Sequence, residues 1–385
     1  MNDSAPSTGR IERVSLHVLR APIAEPVRTS FGVMVDRPCV LVAIGDAEGT
    51  WGWGEIWCNY PVCGAEHRAR LAAEAVAPPL VGQSFADPSA AQRSLARTLR
   101  VLALQTREFG ALDQIRAGFD IALWDLMARR QDRPLANLLA DGPVPPRVPV
   151  YASGINPRGA VDTVRRARAS GFDAFKVKIG FDPVADRRTI AALVAERAGH
   201  ERLMADANQA WSIDQARSMV TDLHDSGLEW LEEPMPADTP TSQWQTLAAA
   251  STIPLAGGEN LASTAAFDTA IDAGWLAVVQ PDLAKWGGFT GCLPIARRVL
   301  RAGRRYCPHY LGGGIGLIAS AQALAAVGGD GRLEVDCNPN PLREELLTPA
   351  PAIADGALTL PPGPGLGVRP DASMIRHWET LCLSV

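Results

Sequence analysis

The amino-terminal part of the chain alternates short apolar runs with turns and then becomes helical. The runs at 10–19 and 38–56 show strand-like alternation, and residues 46–49, Asp-Ala-Glu-Gly, are typical of a hairpin turn. Between residues 65 and 130 the apolar side chains instead recur at steps of three and four, the period of an amphipathic helix. The pattern therefore predicts an antiparallel sheet followed by helices, an α+β arrangement.

A proline-rich stretch at 142–149 separates this part from the rest of the chain. Proline fixes φ and lacks an amide donor, so a helix cannot continue through it. We predict an α+β domain at 1–142, a second domain at 143–340, and a C-terminal segment at 341–385 that returns to pack on the first domain.

Beyond residue 148, a short apolar run followed by a helical segment occurs repeatedly, and we count eight candidate strands. This pattern indicates successive βα units and a parallel sheet. The polar residues that close the last seven runs recur at intervals of 23 to 28 residues; they are Lys178, Asp206, Glu232, Glu259, Asp282, His309 and Glu334. A closed eight-stranded barrel needs ~250 residues, and the C-terminal ends of its strands converge on one mouth. We therefore expect these seven ionisable side chains to meet there.

Composition narrows the class of protein. The 385 residues are 47% hydrophobic and 21% charged, which is typical of a globular protein, and the net charge of −5 offers no basic excess for nucleic acid or an anionic membrane surface. Seven scattered cysteines without a CxxC pair, and a polar N-terminus without a secretory signal, favour a cytoplasmic location. The uncharged run at 311–329 is broken by glycines, which predicts a glycine loop and a buried helix rather than a membrane span.

Three acids, Asp206, Glu232 and Glu259, close three consecutive candidate strands. Each alone could be a solvated residue at a strand end. Three converging carboxylates are costly unless a cation compensates them, and an all-oxygen ligand set favours Mg²⁺ over Zn²⁺, with Mn²⁺ as a possible substitute.

Lys176 and Lys178 form a K-x-K pair on one face of a strand, because strand side chains alternate with period two. Two neighbouring ammonium groups disfavour each other's charge. We therefore expect a lowered pKa for Lys178, which would suit a general base. The alternative is a pair of surface lysines, but the run at 175–180 is typical of an interior strand.

His309 and Asp282 close neighbouring strands, so a hydrogen-bonded dyad is expected in which Asp282 orients the imidazole. The alternative is a structural histidine. Glu334, if protonated or paired with Lys176, could face an oxyanion, or it could be an ordinary salt-bridge partner within the barrel.

Taken together, these residues resemble the enolase superfamily, specifically its mandelate racemase-like branch. The resemblance covers nearly the whole chain, and its motifs are GWGE at 52–55, FDIALWDL at 119–126, KVK at 176–178, DAN at 206–208, EEP at 232–234, GEN at 258–260, QPDLAKWGG at 280–288, PH at 308–309 and LE at 333–334. It implies an α/β fold: a modified TIM barrel of the (β/α)7β type, with an N-terminal α+β capping domain that the C-terminal segment completes.

The resemblance also implies a role for each matching residue. Asp206, Glu232 and Glu259 would bind Mg²⁺, Lys178 would face His309 with Asp282 behind it, and Lys176 and Glu334 would stabilise the developing charge. Muconate lactonizing and dipeptide-epimerising relatives use a lysine at the end of the sixth strand. This chain has Asp282 there, with Lys285 shortly after, so the likeness is to the racemase-like branch.

The implied chemistry is removal of the proton α to a carboxylate through an enediolate. We favour dehydration of a hydroxylated acid, a sugar acid or a hydroxy amino or imino acid, to a 2-keto acid. A racemase or epimerase is the alternative, and a non-catalytic carboxylate-binding barrel is a third possibility. The expected partner is a small carboxylate, and a homo-oligomer is expected. By analogy with the family, candidate substrate contacts are Arg28, Ser30, Trp57, Asn59, Tyr60 and Asn208.

Overall fold

A computed structural model describes residues 7–28 and 32–385. The first part of the chain forms three antiparallel strands and four α-helices: β1 (Ile11–Arg28), β2 (Val33–Asp46), β3 (Trp51–Ile56), α1 (Gly64–Leu71), α2 (Pro88–Thr106), α3 (Phe109–Arg130) and α4 (Leu135–Leu139). A short π-helix, Ala72–Val76, continues α1. The predicted turn at 46–49 joins β2 to β3, and the Asp46 carboxylate accepts hydrogen bonds from the backbone amides of Glu48 and Thr50 (3.1 and 2.7 Å). Alternate residues of β1, including Val14, Leu16 and Val18, are buried against the helices.

The second part is a parallel barrel of eight strands with seven helices between them. The strands are β4 (Arg147–Ile155), β5 (Ala174–Lys178), β6 (Arg202–Asp206), β7 (Leu231–Glu232), β8 (Leu255–Gly257), β9 (Val278–Val279), β10 (Arg305–Tyr306) and β11 (Leu333–Asp336). The helices are α5 (Ala160–Ala169), α6 (Pro183–Glu196), α7 (Ile213–Asp222), α8 (Thr241–Ala250), α9 (Thr264–Ala273), α10 (Gly288–Arg301) and α11 (Gly314–Val327).

Strands β4 to β10 pair in chain order, and β11 returns to pair with β4, so the eighth strand lies beside the first. The predicted (β/α)7β architecture is confirmed. A layer of seven side chains fills the interior of the barrel, and each lies in or next to one of the strands β4 to β10. They are Tyr151, Ala174, Met204, Trp230, Ala256, Val278 and Cys307.

Side-chain caps begin several of the barrel helices. Asp182, Ser212 and Ser263 each accept a hydrogen bond from the backbone amide three residues later, which satisfies one donor of the first turn. The uncharged run at 311–329 forms a glycine loop followed by the buried helix α11, as predicted. Within the described part of the chain, no helix is both long enough and apolar enough to cross a membrane.

The C-terminal segment is shared between the two parts. It contains α12 (Pro341–Glu344), β12 (Leu347–Thr348), β13 (Ala352–Ala354), β14 (Ala357–Thr359), β15 (Arg369–Pro370), α13 (Ala372–Trp378) and β16 (Glu379–Ser384). The hairpin of β13 and β14 pairs with barrel strand β4, whereas β16 pairs with β1 and completes a sheet in the order β16-β1-β2-β3, which we call the cap sheet. The domain boundaries at residues 142 and 340 stay predictions.

Candidate active site

A cavity of about 260 Å³ lies at the C-terminal mouth of the barrel, beneath the cap sheet. Its lining includes Lys178, Glu259, His309 and Glu334 from the barrel and Trp57 from the cap. A larger cavity of about 620 Å³ lies between α5 and α12, but it contains none of these groups. The smaller cavity is the candidate active site, because titratable side chains from several strands converge there.

The two lysines of β5 are held by carboxylates from neighbouring strands. Lys176 is fully buried, and its Nζ lies 2.5 Å from Glu232 Oε1 and 2.7 Å from Glu334 Oε1. Lys178 Nζ donates a hydrogen bond of 2.6 Å to Asp206 Oδ2. Burial lowers the pKa of Lys178, but the negative charges of Asp206 and Glu232 and the hydrogen bond to Asp206 together outweigh it and raise that pKa. The predicted lowering is therefore wrong for this arrangement.

Of the three predicted metal ligands, Asp206 and Glu232 end β6 and β7 and Glu259 lies in the turn after β8, but they do not form a closed ligand set. Glu232 Oε2 accepts hydrogen bonds from Gln280 Nε2 (2.6 Å) and Trp230 Nε1 (3.2 Å). Its pKa is raised to about 7 by burial, an effect that Lys176 opposes. Among residues 7–28 and 32–385, the one group of His, Cys, Asp and Glu whose ligand atoms all lie within 4.8 Å of one another is elsewhere, on the cap sheet.

Chemically, the three acids fit a hard cation, because all their donor atoms are carboxylate oxygens. In this structure those oxygens face basic side chains instead: Asp206 faces Lys178, Glu232 faces Lys176, and Glu259 contacts His309 Nε2. The positive charges of these three side chains compensate the carboxylates.

The predicted dyad between His309 and Asp282 is present. His309 Nδ1 lies 2.6 Å from Asp282 Oδ2, while Asp282 Oδ1 accepts hydrogen bonds from the backbone amides of Ala284 and Lys285 (2.8 and 3.0 Å). Burial would lower the pKa of His309, but Glu259, Glu334 and Asp282 raise it well above its usual value. The imidazole is thus oriented and charged in this arrangement.

Glu334 lies within β11, and several partners hold its carboxylate in place. Besides Lys176, it contacts the Ser153 hydroxyl and accepts a hydrogen bond of 3.3 Å from the backbone amide of Tyr310. Burial would raise its pKa, but Lys176 and His309 lower it to about 2. The carboxylate is therefore ionised and paired with Lys176, one of the two alternatives that the sequence left open.

The candidate substrate contacts divide into three groups. Trp57, Tyr60 and Asn208 line the cavity. Asn59 does not, because its side-chain amide donates to the backbone oxygen of Leu311 (2.7 Å) and fastens the cap to the loop after β10. Its predicted role in substrate binding is not supported by this position.

The remaining two candidates cannot be placed as substrate contacts. Arg28 ends β1, but its side chain lies outside the described residues, as does the whole of Ser30.

Lys285, Asn260, Gln280 and Ser153 belong to the site but were not predicted from the sequence. Lys285 Nζ donates to Asn260 Oδ1 (2.8 Å) and lies 5.2 Å from the centre of the Trp57 ring. Ser153 could have been found, because it lies near the C-terminal end of the first barrel strand. Gln280 and Asn260 lie in the motifs at 280–288 and 258–260, but only the closed barrel shows which neighbours they have.

The cap also holds the loop that follows His309. Glu55 at the end of β3 is buried, and it accepts hydrogen bonds from Tyr310 Oη (2.6 Å), Gly313 N (2.5 Å) and Gly316 N (2.9 Å). Burial raises the pKa of Glu55 despite these donors. Three donors on one buried carboxylate fix this loop, and with it the position of His309, relative to the cap.

Comparison with known proteins gives matches along most of the chain. Residues 12–140 match the model of the mandelate racemase / muconate lactonizing enzyme N-terminal domain, and residues 159–374 match the enolase C-terminal domain-like model. A D-galactarolactone cycloisomerase of Agrobacterium fabrum is 32% identical, over 94% of this chain and 96% of the relative. An L-talarate/galactarate dehydratase of Salmonella typhimurium is 31% identical, over 80% of this chain and 78% of the relative.

Solved structures agree with these matches. A mandelate racemase/muconate lactonizing enzyme from Bordetella bronchiseptica RB50 is 50% identical, with a TM-score of 0.89 over 95% of this chain and 98% of that one. A racemase from Streptomyces coelicolor A3(2) with bound magnesium is 26% identical, with a TM-score of 0.85 over 96% of this chain and all of that one (100%).

Proposed function

Because this chain belongs to the mandelate racemase and muconate lactonizing enzyme family of the enolase superfamily, we propose that it dehydrates a hydroxylated carboxylic acid to a 2-keto acid. The substrate class is a sugar acid or a hydroxy amino or imino acid. The observation that carries the proposal is one cavity lined by Lys178, His309, Glu259 and Glu334, with Asp282 hydrogen-bonded behind His309. The dehydratase and cycloisomerase activities of the relatives support it.

Asp206, Glu232 and Glu259 would hold Mg²⁺, as their all-carboxylate chemistry and the magnesium in the Streptomyces coelicolor racemase suggest. When bound, Mg²⁺ supplies positive charge that stabilises the negative charge developing on the substrate carboxylate.

Lys178 and His309 are the two groups placed to move protons. For a 2,3-dihydroxy acid, one of them takes the C2 proton, and the C2–H electrons form the enediolate that Lys176 helps to stabilise. The other group protonates the C3 hydroxyl, which leaves as water, and the resulting enol tautomerises to the 2-keto acid. Asp282 holds the imidazole in place for this transfer through its hydrogen bond to Nδ1.

Racemisation or epimerisation is the second candidate function. It is favoured by the same observation that two proton-transferring groups share one cavity, since returning a proton to C2 from the opposite side inverts that centre. Water loss separates the two reactions: the dehydratase forms a keto acid, whereas the isomerase exchanges the α-proton without net loss of water.

The test is a screen of sugar acids and hydroxylated amino and imino acids for keto-acid formation, followed by α-proton exchange in D₂O. Lys178→Ala and His309→Asn should then differ: one should lose exchange, and the other should keep exchange but lose keto-acid formation. General acid–base groups contribute about 10²–10⁴-fold, so either loss is measurable. Near-normal turnover in both variants would refute the assignment.

A homo-oligomer and a cytoplasmic location are part of the same proposal. Size-exclusion chromatography with light scattering tests the first, and a monomer at working concentration would contradict it. Fractionation of the source cells tests the second, and recovery outside the cytoplasm would contradict that location.

A further inference from the structure

The three lysines of this chain all lie at the candidate active site. The chain contains 34 arginines but only three lysines, Lys176, Lys178 and Lys285. Lys178 and Lys285 line the cavity, and Lys176 is buried beneath it between Glu232 and Glu334. Everywhere else the chain uses arginine for positive charge. A lysine in such a chain therefore marks a position where a compact amine serves and the larger planar guanidinium does not.

Lys285 is the lysine that has no role in the proposed reaction. It follows β9, and its side chain is 14% exposed, at the same level as that of Glu259. Within the described part of the chain, its side chain donates one hydrogen bond, to the neutral Asn260 Oδ1, and the nearest carboxylate oxygen, Glu259 Oε1, is 3.8 Å away. The ammonium group also lies over the aromatic ring of Trp57, which is a residue of the cap. Lys285 therefore offers the cavity an ammonium group that has a carboxylate nearby but none within hydrogen-bond distance.

The other cavity groups near the cap do not duplicate this charge. Asn208, Gln209 and Asn338 are neutral amides, and Asp336 is paired with the buried guanidinium of Arg37 at 2.7 Å. A ligand reaching this side of the cavity meets one amine and several amides. That set recognises an oxygen-rich anionic group.

We infer that Lys285 is a specificity-determining residue that binds a second, distal acidic group of the substrate, so that the preferred substrates are hydroxylated dicarboxylic acids. This inference rests on the proposed function and narrows it. Trp57 holds the ammonium group on its ring face. Arginine would carry the same charge but could not keep the same compact contact with Asn260 and Trp57.

The test compares hydroxylated dicarboxylic acids with monocarboxylic sugar acids of equal length on wild type, Lys285→Met and Lys285→Arg. Losing a charge-assisted hydrogen bond should reduce kcat/KM for the diacid by about 10- to 100-fold, mainly through KM, in Lys285→Met. Turnover of the monoacid should change little in the same variant. Lys285→Arg should recover only part of the diacid activity.

The outcomes separate the two proposals. Equal loss for diacid and monoacid, or full rescue by arginine, would overturn the role of Lys285 while keto-acid formation still supports the proposed function. Absence of α-proton exchange with every acid in wild type would instead refute the proposed function itself. Arg187→Met, on the outer helix α6, is the matched control for removing a positive charge, and it should leave both rates unchanged.

A second and independent observation concerns the cap sheet, where His17, Cys382 and Glu379 have ligand atoms within 4.8 Å of one another. His17 and Cys382 are directly opposite in the pairing of β1 with β16. A register shift between Val18 and Leu19 brings Glu379 opposite Leu19, and therefore onto the same face of the sheet as His17. This register shift therefore places a histidine, a glutamate and a cysteine side chain next to one another on the cap sheet.

The distances suit a tetrahedral metal ion. His17 Nδ1 and Cys382 Sγ are 3.7 Å apart, close to the ~3.6 Å that Zn–N and Zn–S bonds of ordinary length give at a tetrahedral angle. His17 Nδ1 and Glu379 Oε1 are 2.6 Å apart and would separate to ~3.4 Å when an ion replaces the shared proton. We propose a Zn²⁺-class site here that ties the C-terminal strand to β1, distinct from the all-oxygen set of the barrel.

Co²⁺ tests this site because its thiolate complex has a charge-transfer band that the barrel acids cannot produce. With excess Mg²⁺ present, the full chain should develop this band with one equivalent of Co²⁺, and Zn²⁺ should displace it. Cys382→Ser should abolish the band, His17→Gln should weaken binding by at least about tenfold, and Cys63→Ser, at another exposed cysteine, should have no effect. No band, or a band that survives Cys382→Ser, would overturn the proposal.

Discussion

Asp120 makes the contact between cap and barrel sensitive to pH. It lies on α3 and is fully buried against the N-terminus of α10, where it accepts hydrogen bonds from Thr290 N (2.9 Å) and Thr290 Oγ1 (2.5 Å). A Cβ at Gly288 would lie only 2.3 Å from Asp120 Oδ2, so the two elements approach closely. Burial raises the pKa of Asp120 to about 7, although the bonds to Thr290 and the charge of Arg116 oppose this effect.

The direction in which pH changes the free energy of unfolding follows from the pKa of Asp120 in the folded and unfolded states. The ordinary pKa of an aspartate, 3.8, applies in the unfolded state, so between about pH 4 and pH 7 the native state keeps a proton that the unfolded state has released. The stabilisation is complete below about pH 4 and is lost as the pH rises through 7. Each pH unit within that window changes the free energy of unfolding by about 1.4 kcal/mol. Between pH 5 and pH 8 the loss is therefore about 2–3 kcal/mol.

Asp120→Asn removes this titration and keeps a side chain of similar shape. The free energy of unfolding of wild type minus that of the variant, from urea titrations at pH 5, 6, 7 and 8, should fall by about 2–3 kcal/mol across the series. Taking the difference removes the contribution of other titrating groups. Asp238→Asn, in an exposed loop, should give a flat difference. A flat or rising difference for Asp120→Asn would refute the reasoning.

The remaining predictions concern the candidate site and the loop beside it. Removing divalent ions should abolish turnover, and adding Mg²⁺ or Mn²⁺ should restore it. Full activity of the chelated protein would exclude the metal. Glu232→Gln should weaken Mg²⁺ binding, measured by calorimetry, at least about tenfold. Asp282→Asn should lower kcat by about 10²–10⁴-fold, as His309→Asn should, and a fully active Asp282→Asn beside an inactive His309→Asn would contradict the dyad. Tyr310→Phe removes one of three donors to buried Glu55 and should destabilise the protein by about 1–3 kcal/mol in urea unfolding, with unchanged stability as the contrary result.

The barrel could be predicted because its signal repeats. Each βα unit places an apolar run and a polar closing residue at nearly the same interval, so the strand ends were found even where the strand itself is as short as Leu231–Glu232. The dyad followed from the same reasoning, since residues closing adjacent parallel strands become neighbours.

Interactions between strands were harder to predict. The pKa of Lys178 was predicted from Lys176 on its own strand, but Lys178 pairs laterally with Asp206, whose charge has the larger effect. Asn59 was expected to face the substrate because it lies near a family motif. Its hydrogen-bond acceptor, the backbone oxygen of Leu311, is 252 residues away and has no signature in sequence.

The pairing of β16 with β1 means that the cap is not a contiguous piece of sequence. A gene fusion that exchanged only the first 140 residues for those of a relative would join a foreign β1 to the native β16, with side chains selected for a different neighbour. Grafting a new specificity onto this barrel therefore requires residues 379–384 to travel with the donor cap, and recombination within the family is constrained at two distant positions rather than at one.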